Sequence, residues 1–223
     1  MSNLIFMLNL YFTKIIKIMT TDISEIDLNG TYSYADYLNW NFKERIELIM
    51  GKIFKMSPAP AMKHQRIAFR LTMAVGNFFE KHPCQVFFAP FDVRLIIKNK
   101  KTNKDIQTVV QPDICVICDE SKLDKRGCLG SPDLVIEILS PGNSKKEMRE
   151  KFQVYEASGV REYWLVEPKD CCVFIYTLNE EGKYIGHRPM TDDEIMYSHI
   201  FPEMKIDLAI IFEGMVESEF ENE

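Results

Sequence analysis

Two apolar, strand-like runs in the middle of the chain each hold one acid. Asp113 lies in VVQPDICVIC and Glu137 in PDLVIEILS. A helix-like segment follows, and Lys151 sits in its apolar stripe. Ionised carboxylates and ammonium groups are costly to bury unless they pair or bind metal. Two acids and a lysine in a core-like framework point to a divalent-metal site, and so to metal-dependent hydrolysis.

Strand alternation sharpens this expectation. Successive strand residues face opposite sides. Asp133, Val135, Glu137 and Leu139 therefore project one way, and Leu134, Ile136 and Ile138 the other. In the preceding run, Gln111, Asp113 and Cys115 share a face. If the two strands are neighbours, Asp113 and Glu137 converge on one cation. A hard ion, Mg²⁺ (or Mn²⁺), takes carboxylate oxygens and keeps several waters. One water can act as nucleophile while the metal stabilises charge on a phosphate. On the helix, Met148, Lys151, Phe152 and Tyr155 recur at i, i+3, i+4, i+7. A lysine on that stripe either reaches out to solvent or aims at a charged partner. Aimed inward, it orients the attacking water or stabilises the developing negative charge.

Plainer readings fit the same residues. Asp113 follows Pro112 and suits a turn or bulge. Glu137 suits a structural ion pair, and Lys151 a solvated stripe edge. Asp133 follows Pro132 and opens its strand, which suits a structural acid.

The elements that must position these groups are legible along the chain. SYADYLNWNFK, residues 33–43, suggests a helix. ERIELIMGKIFKM suggests a hairpin turning at Met50-Gly51, closed by a Pro-rich loop at Ser57–Pro60. Ile67, Leu71, Ala74, Val75 and Phe78 recur at helical spacing, and His82-Pro83 closes that helix. QVFFAPFDVRLII, TVVQPDICVIC and PDLVIEILS read as strands, separated by polar, turn-rich segments at 98–107 and 119–131. Ser144 through Gly159 reads as a helix, with Ser144 and Glu147 as a capping box and Gly159 as its stop. EYWLVEP and CCVFIYTLN read as two strands joined at Pro168-Lys169-Asp170. The order predicts an α/β (α+β) fold, a mixed sheet flanked by helices. Residues 19–215 read as one domain, with an extension at 1–18 and an acidic tail at 216–223.

Composition narrows the function classes. Of 223 residues, 46% are hydrophobic and 27% charged, and the formal net charge is −6. That balance argues against a tight, sequence-independent DNA binder, while allowing a local basic cleft. Lys63, His64, Arg66 and Arg70, on or near one helix, are the candidate DNA-backbone contacts. His64 also suits a plain helix-entry role. Asp92 and Arg94 share a strand face and are expected to pair. Six cysteines (Cys84, Cys115, Cys118, Cys128, Cys171, Cys172) lack an accompanying secretion signal, so reduced thiols in a cytoplasmic protein are expected. Cys115 and Cys118 lie in one strand and face opposite sides, which argues against zinc. The N-terminus MSNLIFMLNLYFTKIIKIMT makes a poor signal peptide, and its apolar stretches fall short of the ~20 residues a membrane span needs.

The strings VVQPDICVI and SPDLVIEILSPGNSKKEMREKFQVYEASGVREYWLVEP, with IELIMGKIFKMSPAPAMKHQRI, FFAPFDVRLI and DKRGCLGSPD, closely resemble the bacterial Uma-two family of restriction-endonuclease-like proteins. The resemblance runs from about residue 33 to about 190. That family is placed in the PD-(D/E)XK nuclease superfamily, whose members share a restriction-endonuclease-like core. The resemblance implies Mg²⁺-dependent cleavage of phosphodiester bonds, with DNA the expected substrate; a homodimer would supply the two sites that two cuts on a duplex call for. By position, Pro112-Asp113 is similar to the PD element and Glu137 to the D/E element. Leu139 stands where the superfamily's lysine falls. The superfamily tolerates moving that lysine to a neighbouring helix, which makes Lys151 the candidate, with Lys145 and Lys146 behind it. Glu47 is similar to the upstream acid that some members add to the metal shell; a surface acid beside a hairpin fits it as well. The alternative reading is a catalytically silent nucleic-acid-binding or regulatory module that keeps the fold.

Overall fold

The structure is a computed structural model, and it describes residues 22–56, 61–97, 102–140 and 145–215. The expected extension at 1–18, the loop at 57–60, Ser144 of the capping box and the tail at 216–223 lie outside the described residues. So do the side chains of Lys146 and Glu147.

In chain order the elements are α1 (Tyr34–Tyr37), β1 (Ile46–Ile49), β2 (Lys52–Lys55), α2 (Met62–Phe79), β3 (Gln85–Phe88), β4 (Val93–Arg94), β5 (Val109–Val110) and β6 (Ile114–Ile117). There follow β7 (Leu123–Asp124), β8 (Gly127–Leu129), β9 (Leu134–Ile138), α3 (Lys145–Ser158), β10 (Glu162–Glu167) and β11 (Cys172–Leu178). The chain continues through β12 (Tyr184–Gly186), β13 (Met190–Thr191), β14 (Ile195–Tyr197), β15 (Lys205–Asp207) and α4 (Leu208–Phe212).

The main sheet runs β12-β11-β10-β9-β6-β3, with β13 also on β11. Its β9–β10 pair is parallel and its other pairs are antiparallel, so the sheet is mixed as expected. A second sheet runs β2-β1-β5-β4-β8-β7. Every residue of β9 is buried, as in a strand covered on both faces. On one face Ile67, Leu71, Val75 and Phe79 of α2 pack on Ile114, Val116, Leu134 and Ile136. On the other, Val135, Cys115 and Tyr163 meet Val154 and Tyr155 of α3, with Ile49, Val93 and Val110 of the second sheet. The predicted division of β9 into two faces therefore holds.

The expected hairpin forms with Met50 at φ 49° and Gly51 at φ 78°. Two left-handed residues make the tight turn whose twist suits flanking strands. A Cβ at Gly51 would lie 2.6 Å from Thr31 Cγ2 and 3.2 Å from the Tyr32 carbonyl, so only glycine fits.

Several expectations need correction. The helix expected over 33–43 is confined to α1. The Asn39 amide donates to the Ala35 carbonyl (2.8 Å) at its end, and Trp40 turns onto Tyr32 (ring centroids 5.0 Å) and Phe42 (5.5 Å). The run TVVQPDICVIC is two strands in two different sheets. β5 pairs with β1 and β4, whereas β6 pairs with β3 and β9. Pro112 has no N–H for a ladder, and it marks the crossing between sheets. QVFFAPFDVRLII divides in the same way into β3 and β4 around Pro90. The turn-rich segment 119–131 holds β7 and β8, too short to show a period. Finally, Cys84 and Cys118 form a disulfide, where free thiols were expected. They flank the antiparallel pair Gln85↔Ile117, so β3–β6 register brings the thiols face to face. Cys115, Cys128, Cys171 and Cys172 are free and buried.

Candidate functional site

The two acids come from adjacent strands. β6 and β9 pair as Ile114↔Ile136 and Cys115↔Val135, which sets Asp113 and Glu137 opposite each other at the strand ends. Asp113 Oδ2 accepts the Ile138 N–H (2.7 Å) and lies 3.3 Å from His64 Nε2. Asp113, Glu137, His64 and Lys151 all line one cleft of about 540 Å³. The sheet crossing at Pro112 is thus what brings Asp113 to the cleft.

The lysine arrives from α3. Lys151 Nζ stands 3.0 Å from Glu137 Oε1 and 3.0 Å from Glu47 Oε2. One turn later, Tyr155 donates its hydroxyl to the same Glu137 oxygen at 2.6 Å. Lys151 and Leu139 both line a small void of about 20 Å³ beside Glu137. Lys145, at the exposed start of α3, does not line the cleft.

Glu47 is wholly buried, unlike the surface acid that was one reading of it. Its Oε1 accepts the Gln111 N–H at 2.8 Å, and its Oε2 faces Lys151. It stands behind the lysine and does not line the cleft. Among the described residues, no three His, Cys, Asp or Glu side chains form a closed metal cage. The donor set facing the cleft is two carboxylates open to solvent on one side.

Titratable groups are crowded at the site. Burial pushes the Glu137 carboxyl up to about 7; Lys151 opposes the rise, and the Asp113 and Glu47 charges add to it. Lys151 is held well above its ordinary value, because the two glutamates outweigh the burial that disfavours its charge. His64 is lowered by burial but raised more by Asp113, for a net upward shift. Its Nδ1 is buried with no hydrogen-bond partner among the described residues. Three clustered carboxyl groups thus face the Lys151 ammonium and the His64 ring.

Of the four expected nucleic-acid contacts, only His64 reaches the cleft. Arg70 instead donates to the Ile211 and Glu213 carbonyls (3.1 and 2.7 Å) and pairs with the Glu213 carboxylate (3.2 Å), which ties α2 to α4. Lys63 stands where its charge acts on Cys171, and Arg66 is exposed outside the cleft lining. The cause is helical phase: 63, 66 and 70 fall on the flank of α2 away from 64, 65, 68 and 72. Asp92 and Arg94 do not pair. Asp92 accepts from Gln111 (2.8 Å), while Arg94 binds Asp124 (2.6 Å) and the Cys128 carbonyl (3.1 Å). Asp133 accepts the Cys118 N–H (2.9 Å) and meets Arg161 (3.2 Å), the structural role that suited it. The sequence reading passed over Tyr155 as a partner of Glu137, and Arg45 and Lys55 as cleft cations. Tyr155 lay on the Lys151 stripe, which was the available signal; the two cations gave none.

Comparison with known proteins agrees with this architecture. The family model Uma2, described as "Putative restriction endonuclease", matches residues 34–209. A Synechocystis sp. protein, the uncharacterized slr1290, is 23% identical over 186 residues, covering 82% of this chain and 92% of its own. A crystal structure from Anabaena variabilis, described as "a putative nuclease belonging to DUF820", superposes with a TM-score of 0.63 at 19% identity. It covers 82% of this chain and 99% of the other, and so shares the fold. No helix among the described residues is long and apolar enough to cross a membrane.

Proposed function

The chain belongs to the Uma2 family, and from that premise we propose that it is a metal-dependent nuclease hydrolysing phosphodiester bonds, with DNA as its substrate. The observation that carries this reading is the convergence of Asp113, Glu137 and Lys151 on one cleft from two strands and a helix.

The residues fit a divalent cation. The donors are carboxylate oxygens, the hard ligands that Mg²⁺ and Mn²⁺ prefer. Above its raised value Glu137 joins Asp113 and Glu47 as a carboxylate, and a cation in the cleft would balance the negative charge that Lys151 and His64 leave over. Asp113 and Glu137 would hold it, with water completing the shell. Glu47 supports from behind, by fixing Lys151 and the Gln111 backbone. When bound, the ion supplies an activated water and neutralises charge on the scissile phosphate.

The chain's own groups do the rest. Lys151, pinned between two carboxylates, presents a fixed positive charge where the phosphate gains negative charge, a preorganised arrangement. Tyr155 locks the Glu137 rotamer from the core side. His64 holds Asp113 from α2. Hydrolysis adds the water oxygen to phosphorus and breaks one phosphorus–sugar oxygen bond, and the departing oxygen takes a proton.

Incubating wild type and Glu137→Gln with supercoiled plasmid and single-stranded DNA, in Mg²⁺, Mn²⁺ or chelator, tests the reading. It expects metal-dependent cutting that the substitution abolishes. Equal cutting by both proteins would remove Glu137 from the centre. No cutting by wild type on either substrate would favour a silent binding module.

A further inference from the structure

Two exposed aromatic rings in the cleft have no part in the chemistry above. Phe69 on α2 is 67% exposed and Phe88 at the end of β3 is 63% exposed, yet both line the cleft that holds Asp113 and Glu137. Met73, one helical turn beyond Phe69, lines it too and is 49% exposed. An apolar pair on the solvent side of an amphipathic helix does nothing for the core, and such patches mark binding surfaces. Arg45 and Lys55 are also exposed and line the same cleft.

Flat apolar rings beside cations suit an anionic polymer with accessible aromatic faces. A strand of nucleic acid with unpaired bases has both features; a duplex buries its base faces in its own stack. A second copy of this chain suits the patch less well. A two-fold contact sets a patch against itself, so Arg45 and Lys55 would meet like charges.

Resting on the nuclease reading, we propose that the cleft takes a single-stranded or unpaired segment of nucleic acid, with bases stacked on Phe69 and Phe88 and the backbone held by Arg45 and Lys55. Stacking would then choose where the strand enters, and the acids at the cleft floor would act on the phosphate brought to them.

The test uses the full chain carrying Asp113→Asn to prevent cutting, with fluorescein-labelled oligo(dT) and a matched hairpin duplex. The single strand should bind about 10-fold more tightly than the duplex, the scale of one stacked base. Adding Phe69→Ala and Phe88→Ala should remove that preference and leave duplex affinity and melting temperature unchanged, since both rings are exposed. Three outcomes would overturn the proposal: equal binding of strand and duplex, no binding of either, or undiminished strand binding by the double alanine variant. In the last case, dissociation of a dimer by the same variant in sedimentation would assign the patch to a second copy. Failure of the nuclease reading looks different: ring-dependent strand binding with no metal-dependent cutting by wild type.

Discussion

Lys151 approaches Glu137 from a helix, with Nζ 3.0 Å from Oε1, and not from the strand that carries the acid. The position two residues after Glu137 is Leu139, whose backbone N–H is occupied by the Val166 carbonyl (2.9 Å). The same ammonium also lies 3.0 Å from Glu47 Oε2. One cation therefore serves two buried carboxylates, and this sets what substitutions there should do.

Lys151→Met should destabilise the protein. Removing one partner of a buried ion pair costs roughly 3–5 kcal/mol, because the remaining charge is stranded. Denaturant unfolding should show a lowered midpoint, and lost activity in this variant has to be read beside that loss. An unchanged midpoint would mean that the lysine does not bear on Glu47 and Glu137 as placed.

The Glu137 carboxyl should titrate near 7, seen by carbon NMR of the labelled side chain. Burial is the main cause. The folded-state value lies above the ordinary 4.5, so the protonated acid favours folding. That contribution is full below about 4.5 and is lost as pH rises through about 7. Glu137→Gln, which cannot ionise, should thus gain stability relative to wild type between pH 4 and pH 8. A titration near the ordinary glutamate value would contradict the burial and charge crowding described.

Tyr155→Phe keeps the ring and deletes the hydroxyl that donates to Glu137 at 2.6 Å. Loss of a supporting hydrogen bond behind a metal ligand typically costs about 10–100-fold in metal affinity or activity. Calorimetric Mn²⁺ titration should show weaker binding, with folding retained. Unaltered affinity would demote Tyr155 to packing.

Glu162 offers a contrast in kind. It is as buried as Glu47, but its oxygens accept from Trp164 (2.5 Å), Ser198 (3.0 Å) and the backbone of His199 and Ile200 (2.9 Å each). It is a fully satisfied structural acid that ties the segment after β14 to β10. Glu162→Ala strands several buried donors and should cost at least about 3 kcal/mol in chemical unfolding. Mn²⁺ affinity of the folded fraction should stay as in wild type.

These two kinds of acid show how far the sequence could be read. Asp113, Glu137 and Lys151 stood out because each breaks an apolar pattern of known period; that they converge depended on β6 and β9 being neighbours and on the lysine turning inward, which the pattern left open. The mixed sheet and the helices at 62–79 and 145–158 followed from the same periodicities. Glu162 also sits in an apolar run, but apart from Trp164 its partners lie 36 residues and more along the chain, in a segment with no readable period. Arg70 was legible as basic and helical; its attachment to Glu213 depends on where α4 packs, a tertiary fact. The cut of one apolar run into strands of two sheets at Pro112 was beyond alternation, although the proline that causes it was in view. The Cys84–Cys118 bond required the β3–β6 register, which strand composition does not specify.

The most direct test of the account is calorimetric titration of Mn²⁺ into wild type, Asp113→Asn and Glu137→Gln at pH 8, with folding verified by circular dichroism. The account predicts binding at one site in wild type and its loss in each variant. Undiminished Mn²⁺ affinity in both folded variants would contradict it, and would leave the two acids as parts of a buried ion-pair network only.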